Sequence, residues 1–212
     1  MLNLIFYLKR RKLFSLFKGG LPKDLSKDLK RVVDTLMLQD KSKDLMFSGL
    51  YGKRKSKWVL PHGEEIFIPY RVYFKITPLK KVTDLTKRQR QIYYAILSRS
   101  FNGHVREEAI KNLLKMDGEA WVKAYVIEIC GEYVSQILNN VYQVLSQRDC
   151  TDYKRLCQLN FKAVCLKHAH MISFWAAYHR YDFYRYKSWI GKRLFKDCFG
   201  YGKTGQKKIS LN

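Results

Sequence analysis

Apolar side chains recur along most of this chain at three- and four-residue spacing, the pattern of helices with one buried face. Residues 2–17 show it around a basic patch, and Gly19-Gly20 and Pro22 break it. Leu25, Leu29, Val32, Val33, Leu36, Met37 and Leu45 then trace a core-facing helix from Asp24 to Met46, ended by Ser48-Gly49. Tyr51–Lys57 reads as a basic turn. The period changes at Trp58–Leu60 and Ile66–Ile76, which are rich in β-branched and aromatic residues and flank Pro61-His62-Gly63. They predict a small hairpin, with Pro69 at an edge or an interruption.

Helical spacing returns after Pro78. Asp84-Leu85-Thr86 caps a helix over Lys87–Ser100, Asn102-Gly103 turns the chain, and His104–Lys115 forms the next helix. Ala120–Leu145 is apolar on more than one side, which predicts one long central helix with Gly131 at a close crossing. Thr151–Tyr178 and Lys187–Cys198 complete the set. The expectation is a mainly α, compact helical domain of five to seven helices with one small β-hairpin at about 58–76. A basic amphipathic arm (1–22) precedes this single domain (23–200), and a polar basic tail (201–212) follows it.

Composition adds a partner class. The 212 residues carry 41 Lys and Arg against 18 Asp and Glu, a net charge of +23, so a polyanion is the expected partner. The charge is uneven: 1–57 and 150–212 each carry a net +10, 58–100 carry +5, and 101–149 carry −2. No apolar run approaches the roughly 20 residues of a spanning helix. The five cysteines are an odd number, and Leu2–Leu8 precedes Lys9-Arg10-Arg11-Lys12, the reverse of a secretory signal's order. Both features predict free thiols and a cytoplasmic, reducing location.

Several motifs bear on chemistry. The two helices over 85–114 have helix–turn–helix spacing, and the second offers Arg106, Lys111 and Asn112 as donors, against Glu107 and Glu108, which repel phosphate. Lys87, Arg88 and Arg90 make the first helix the more basic, the reverse of ordinary groove reading. Gly103–Ile110 resembles the second helix of a HEAT-type repeat, in which an arginine follows a valine and an alanine packs between helices. The resemblance spans 86–145 at most, and about three repeats are needed for a solenoid. Cys165-Leu166-Lys167-His168 is a Cys-x-x-His pair with Cys157 two turns earlier, but no second pair completes a zinc site. His168-Ala169-His170 with downstream tyrosines is similar to the histidine and tyrosine set of rolling-circle endonucleases, which lies on a strand there and in a helical period here. Gly49-Leu50-Tyr51 is similar to half of a GIY-YIG nuclease motif, whose second half is missing. No phosphate-cradling glycine loop appears, and no cofactor is implied.

From Tyr178 to Tyr201 nine aromatic rings alternate with six Arg and Lys. Flat rings stack on unpaired bases and cations meet phosphates, so this stretch predicts binding of RNA or single strands without catalysis. The expected contacts are Lys53, Arg54, Lys55, Lys57, Lys87, Arg88, Arg90, Arg180, Tyr184, Arg185, Lys192 and Arg193. Two alternatives remain at this point. One is a helical adaptor that docks protein through the 101–149 helices and an anionic membrane surface through 1–18. The other is a nuclease-type enzyme using His168 or His170.

Overall fold

The computed structural model describes residues 2–39, 54–72, 82–116 and 118–202. They form a mainly α protein with nine α-helices and one two-stranded hairpin among the described residues. Contacts divide the chain into two units, one of 1–58 and 64–116, the other of 59–63 and 117–212.

In the first unit, α1 (Leu2–Lys18) and α2 (Ser26–Gln39) pack together, and α2 also packs on α3 (Lys87–Leu97). The segment expected as an arm therefore contributes core: Leu13 and Phe17 of α1 are fully buried, as are Val32 and Val33 of α2. Arg10 grips Asp34 with two guanidinium nitrogens, joining α1 to α2. The part of the expected second helix beyond Gln39 lies outside the described residues.

Thr86 starts α3 through a capping box. Its hydroxyl accepts from the Gln89 N–H (3.2 Å), and the Gln89 side chain accepts from the Thr86 N–H (3.3 Å). Asn102 caps α4 (Gly103–Lys115) by accepting from the His104 N–H at 3.0 Å. Of the three donors considered on α4, Arg106 does not face a groove. Arg106 is fully buried and donates to the Ser100 and Phe101 carbonyls at 3.0 and 2.8 Å. Lys111 pairs with Glu107, and Asn112 bonds Glu108. Arg106 is thereby committed to the turn between α3 and α4.

The hairpin joins β1 (Lys55–Val59) to β2 (Glu65–Pro69). Trp58, Ile66 and Ile68 are buried, while Lys55, Lys57, Glu65 and Phe67 face water, the alternation of a half-buried sheet. Pro69 ends β2, and residues 73–76 of the expected second strand lie outside the described residues.

The second unit is built around α5 (Ala120–Ile129), whose residues from Trp121 to Ile129 are all buried. It packs on α7 (Thr151–Leu159) and α8 (Phe161–Phe174), while α6 (Ser135–Leu145) packs on α9 (Ile190–Asp197). Two long helices expected from the sequence are each divided in two, which raises the helix count above seven. The first breaks at 130–134. There Gly131 lies so close to α8 that a Cβ would stand 3.2 Å from the Lys167 Cα, tighter than most Cβ contacts, so any larger residue would push on α8. The second breaks at Asn160, whose side chain donates to the Leu156 carbonyl (2.9 Å) and to the Val59 carbonyl (2.8 Å). Its Oδ1 accepts from the Val59 N–H (2.6 Å).

Lys167 donates to Glu128 where both side chains are buried. Removing one partner of a buried pair strands the other charge, at a cost of about 3–5 kcal/mol, whereas replacing both by apolar groups costs much less. Lys167→Met is therefore expected to lower the urea midpoint sharply, and Lys167→Met with Glu128→Leu to recover most of the loss.

Candidate functional site

The nine rings of the C-terminal stretch divide into two sets. Trp189, Phe195 and Phe199 are buried, and Tyr186 and Tyr201 are half-buried. Tyr178, Tyr181, Phe183 and Tyr184 are exposed, with Tyr181 98% and Tyr184 79% accessible. Four neighbouring exposed rings are unusual on a water-facing surface, where large apolar groups gather mainly at binding sites.

The backbone that carries them is pinned. After Phe174 the helix widens into one π turn, Trp175–His179, a distortion that often marks functional sites. Trp175 Nε1 donates to the Phe183 carbonyl (3.1 Å), and the Phe183 N–H donates to the His179 carbonyl (2.9 Å). His179 Nε2 donates to the Tyr133 carbonyl (2.9 Å), which can only accept, so that nitrogen carries the proton. The His179 ring stacks on Trp189 at 4.8 Å, and Phe183 meets the same indole edge-on at 5.1 Å. Trp189 is held in turn by the approach of α9. A Cβ on Gly191 would fall 2.7 Å from its Nε1 and 2.6 Å from Met171 Sδ, so only glycine fits there.

This frame projects Tyr181 and Tyr184 outward, with Arg180, Arg185 and Lys187 exposed beside them in the chain. Tyr133 extends the aromatic surface. It lies 5.7 Å from Phe174 and 6.1 Å from Tyr178, and those two rings stack at 6.2 Å. Tyr133 comes from the α5–α6 break, and no local signal connects it with residues some 45 positions later.

The other expected contacts are dispersed. Lys53 lies outside the described residues. Arg54, Lys55 and Lys57 stand exposed on or beside β1, and Lys57 pairs with Glu65 at 2.6 Å. Lys87, Arg88 and Arg90 occupy the first turn of α3, where Arg88 lies 3.6 Å from Asp24 and Arg90 is half-buried. These six belong to the first unit, whereas Arg180, Tyr184, Arg185, Lys192 and Arg193 belong to the second. Lys192 sits over the Tyr186 ring (5.4 Å). Arg193 donates to the Tyr142 hydroxyl (2.7 Å) and covers that ring (4.8 Å), which commits it to the α6–α9 contact.

His168 and Cys165 lie in packing against the C-terminal tyrosines, whereas His170 is exposed on α8. His168 shares a hydrogen bond with the Tyr186 hydroxyl (3.1 Å) and lies 4.3 Å from the Tyr201 ring. The Tyr201 hydroxyl donates to Cys165 Sγ at 3.6 Å. Burial pushes the Tyr186 and Tyr201 hydroxyls up to about 12, which disfavours a tyrosinate nucleophile. Cys130, Cys150, Cys157 and Cys198 are buried free thiols, and burial raises Cys130, Cys157 and Cys198 above the ordinary thiol range. Among the described residues no three His, Cys, Asp or Glu groups converge as a metal site.

No protein family, curated protein or solved structure matches this chain.

Burial lowers the His168 pKa, so the unfolded imidazole takes up a proton at a higher pH than the folded one. Folding stability should therefore fall as pH drops below about 6.5, and level off once the folded ring also titrates. Thermal melts of the protein and of His168→Gln across that range are expected to differ in slope, with the variant less sensitive to acid.

Proposed function

We propose that this protein is a non-enzymatic nucleic-acid-binding protein that prefers RNA or single strands, and that its second unit captures them on the 178–187 segment. The observation that carries the reading is the exposure of Tyr178, Tyr181, Phe183 and Tyr184 among Arg180, Arg185 and Lys187, on backbone held by Trp175, His179 and Trp189. Rings presented on rigid backbone lose little conformational entropy on stacking, and each base–ring stack contributes about 1–3 kcal/mol. The cations supply phosphate contacts that do not depend on base identity. A duplex hides its base faces, so this surface favours unpaired nucleotides. Arg54, Lys55 and Lys87, exposed on the first unit, add to the long-range attraction of a chain with net charge +23.

Titration of labelled single-stranded RNA, single-stranded DNA and duplex DNA across a salt series tests this. Tyr181→Ala and Tyr184→Ala should each weaken single-strand binding by roughly 5- to 150-fold and leave the salt dependence unchanged. Arg180→Ala with Arg185→Ala should weaken binding and also reduce the log–log salt slope, by about 0.7 per lost phosphate contact. Equal affinity for duplex and single strands, or tyrosine variants that bind as the parent does, would overturn the reading.

A further inference from the structure

The outer face of α1 has a different chemistry, and it does not depend on the nucleic-acid reading. Lys9, Leu13 and Phe17 are turned inward, so the opposite stripe of the helix faces water. Its first part is apolar: Leu4 is 61% exposed, Tyr7 52%, and Leu8 also faces water. Its later part is cationic, with Arg11, Lys12 and Lys18 exposed and no acidic residue before Asp24. Aliphatic side chains neither stack on bases nor bind phosphate, so Leu4 and Leu8 are not explained by a nucleic-acid partner.

A groove of about 380 Å³ runs between α1 and α2 beside this stripe. Phe14 and Val33 contribute apolar lining, and Tyr7, Arg10, Arg11 and Lys30 also border it. Arg10 is occupied by Asp34, whereas Arg11 and Lys30 make no ion pair among the described residues. Two uncommitted cations beside an apolar groove, next to exposed leucines, form a surface whose complement is both anionic and aliphatic.

We propose that the α1–α2 face docks on an anionic phospholipid bilayer. Leu4, Tyr7 and Leu8 enter the headgroup–acyl boundary, while Arg11 and Lys30 hold lipid phosphates at the groove. Helices that lie in a membrane surface combine these two features, an apolar stripe for depth and cations for the leaflet's charge.

Co-sedimentation of the full chain with phosphatidylcholine vesicles, with and without phosphatidylglycerol, tests the proposal. The protein is expected to sediment with the anionic vesicles only. Arg11→Gln with Lys30→Gln should weaken that binding roughly 30-fold, as two surface cations predict. Leu4→Glu with Leu8→Glu should weaken it at least 10-fold, and Leu8→Ser by a smaller factor. All of these positions are on the surface, and unchanged circular dichroism together with unchanged oligonucleotide affinity would separate loss of docking from loss of fold. Equal sedimentation with neutral vesicles would overturn the proposal, as would none with either. If the leucine variants bound as the parent does, the face would be a cationic surface alone and lipid docking would also fail. Capture of a protein in place of vesicles would likewise replace lipid as the occupant.

Discussion

Cations outnumber acids by 41 to 18, so most of them cannot find a carboxylate, and the fold must place them accordingly. A buried cation without acceptors is too costly to keep, and backbone carbonyls provide the acceptors here. Arg99 donates to the Pro69 and Tyr70 carbonyls, Arg106 to those of Ser100 and Phe101, and Lys123 to that of Gly118. Arg106 and Lys123 tie a helix to the loop before it, and Arg99 ties the turn after α3 to the end of β2, so these charges close chain turns. Carboxylates join helices as well, among them Asp34 with Arg10 and Asp28 with Gln89 in the first unit, and Glu128 with Lys167 and Asp152 with Lys123 in the second. The cations left in water, Arg54, Lys55, Lys87, Arg180 and Arg185 among them, are those on which the proposed capture of nucleic acid rests.

The same division of labour holds for the rings. Trp175 and His179 spend their polar edges on nearby carbonyls, and the ring faces of Trp175, His179, Trp189 and the half-buried Tyr186 pack on one another. Their mutual packing lets Tyr181 and Tyr184 remain in water without the loop collapsing over them. The proposed stacking on these rings would draw on that frame, since the π turn and its cross-links hold the backbone before any ligand arrives. His168 and Cys165, which in the sequence suggest metal or nucleolytic chemistry, lie in the packing between α8 and the C-terminal tyrosines.

Within each unit, exposed chemistry sits where packing leaves a helix face uncovered. In the first, α2 covers one side of α1 and leaves the Leu4–Lys18 stripe to solvent. In the second, α5 is buried over nearly its whole length and so offers no docking surface, although it lies within the near-neutral segment that charge alone marks for protein contacts.

Helical period, the capping residues Thr86 and Asn102, and the turn at Pro61-His62-Gly63 are local properties, and they determined the class of the fold and most element starts. The buried faces of α2, α3 and α4 followed from the same period, because a helix repeats its environment every three to four residues, whereas the burial of Leu13 and Phe17 on α1 did not. The basic and aromatic composition of 178–193 was equally legible. The two helix breaks were not. They depend on Gly131 meeting Lys167 and on Asn160 meeting Val59, partners about 36 and 101 positions apart in sequence. Nor could the chain alone say that Arg106 is buried while Arg185 is exposed, or that Trp189 is frame and Tyr181 surface. Residue type sets what a side chain can do, but its accessibility is set by what the rest of the chain brings against it. Tyr133 joins Phe174 and Tyr178 for that reason, since only the packing of the second unit places the three rings together.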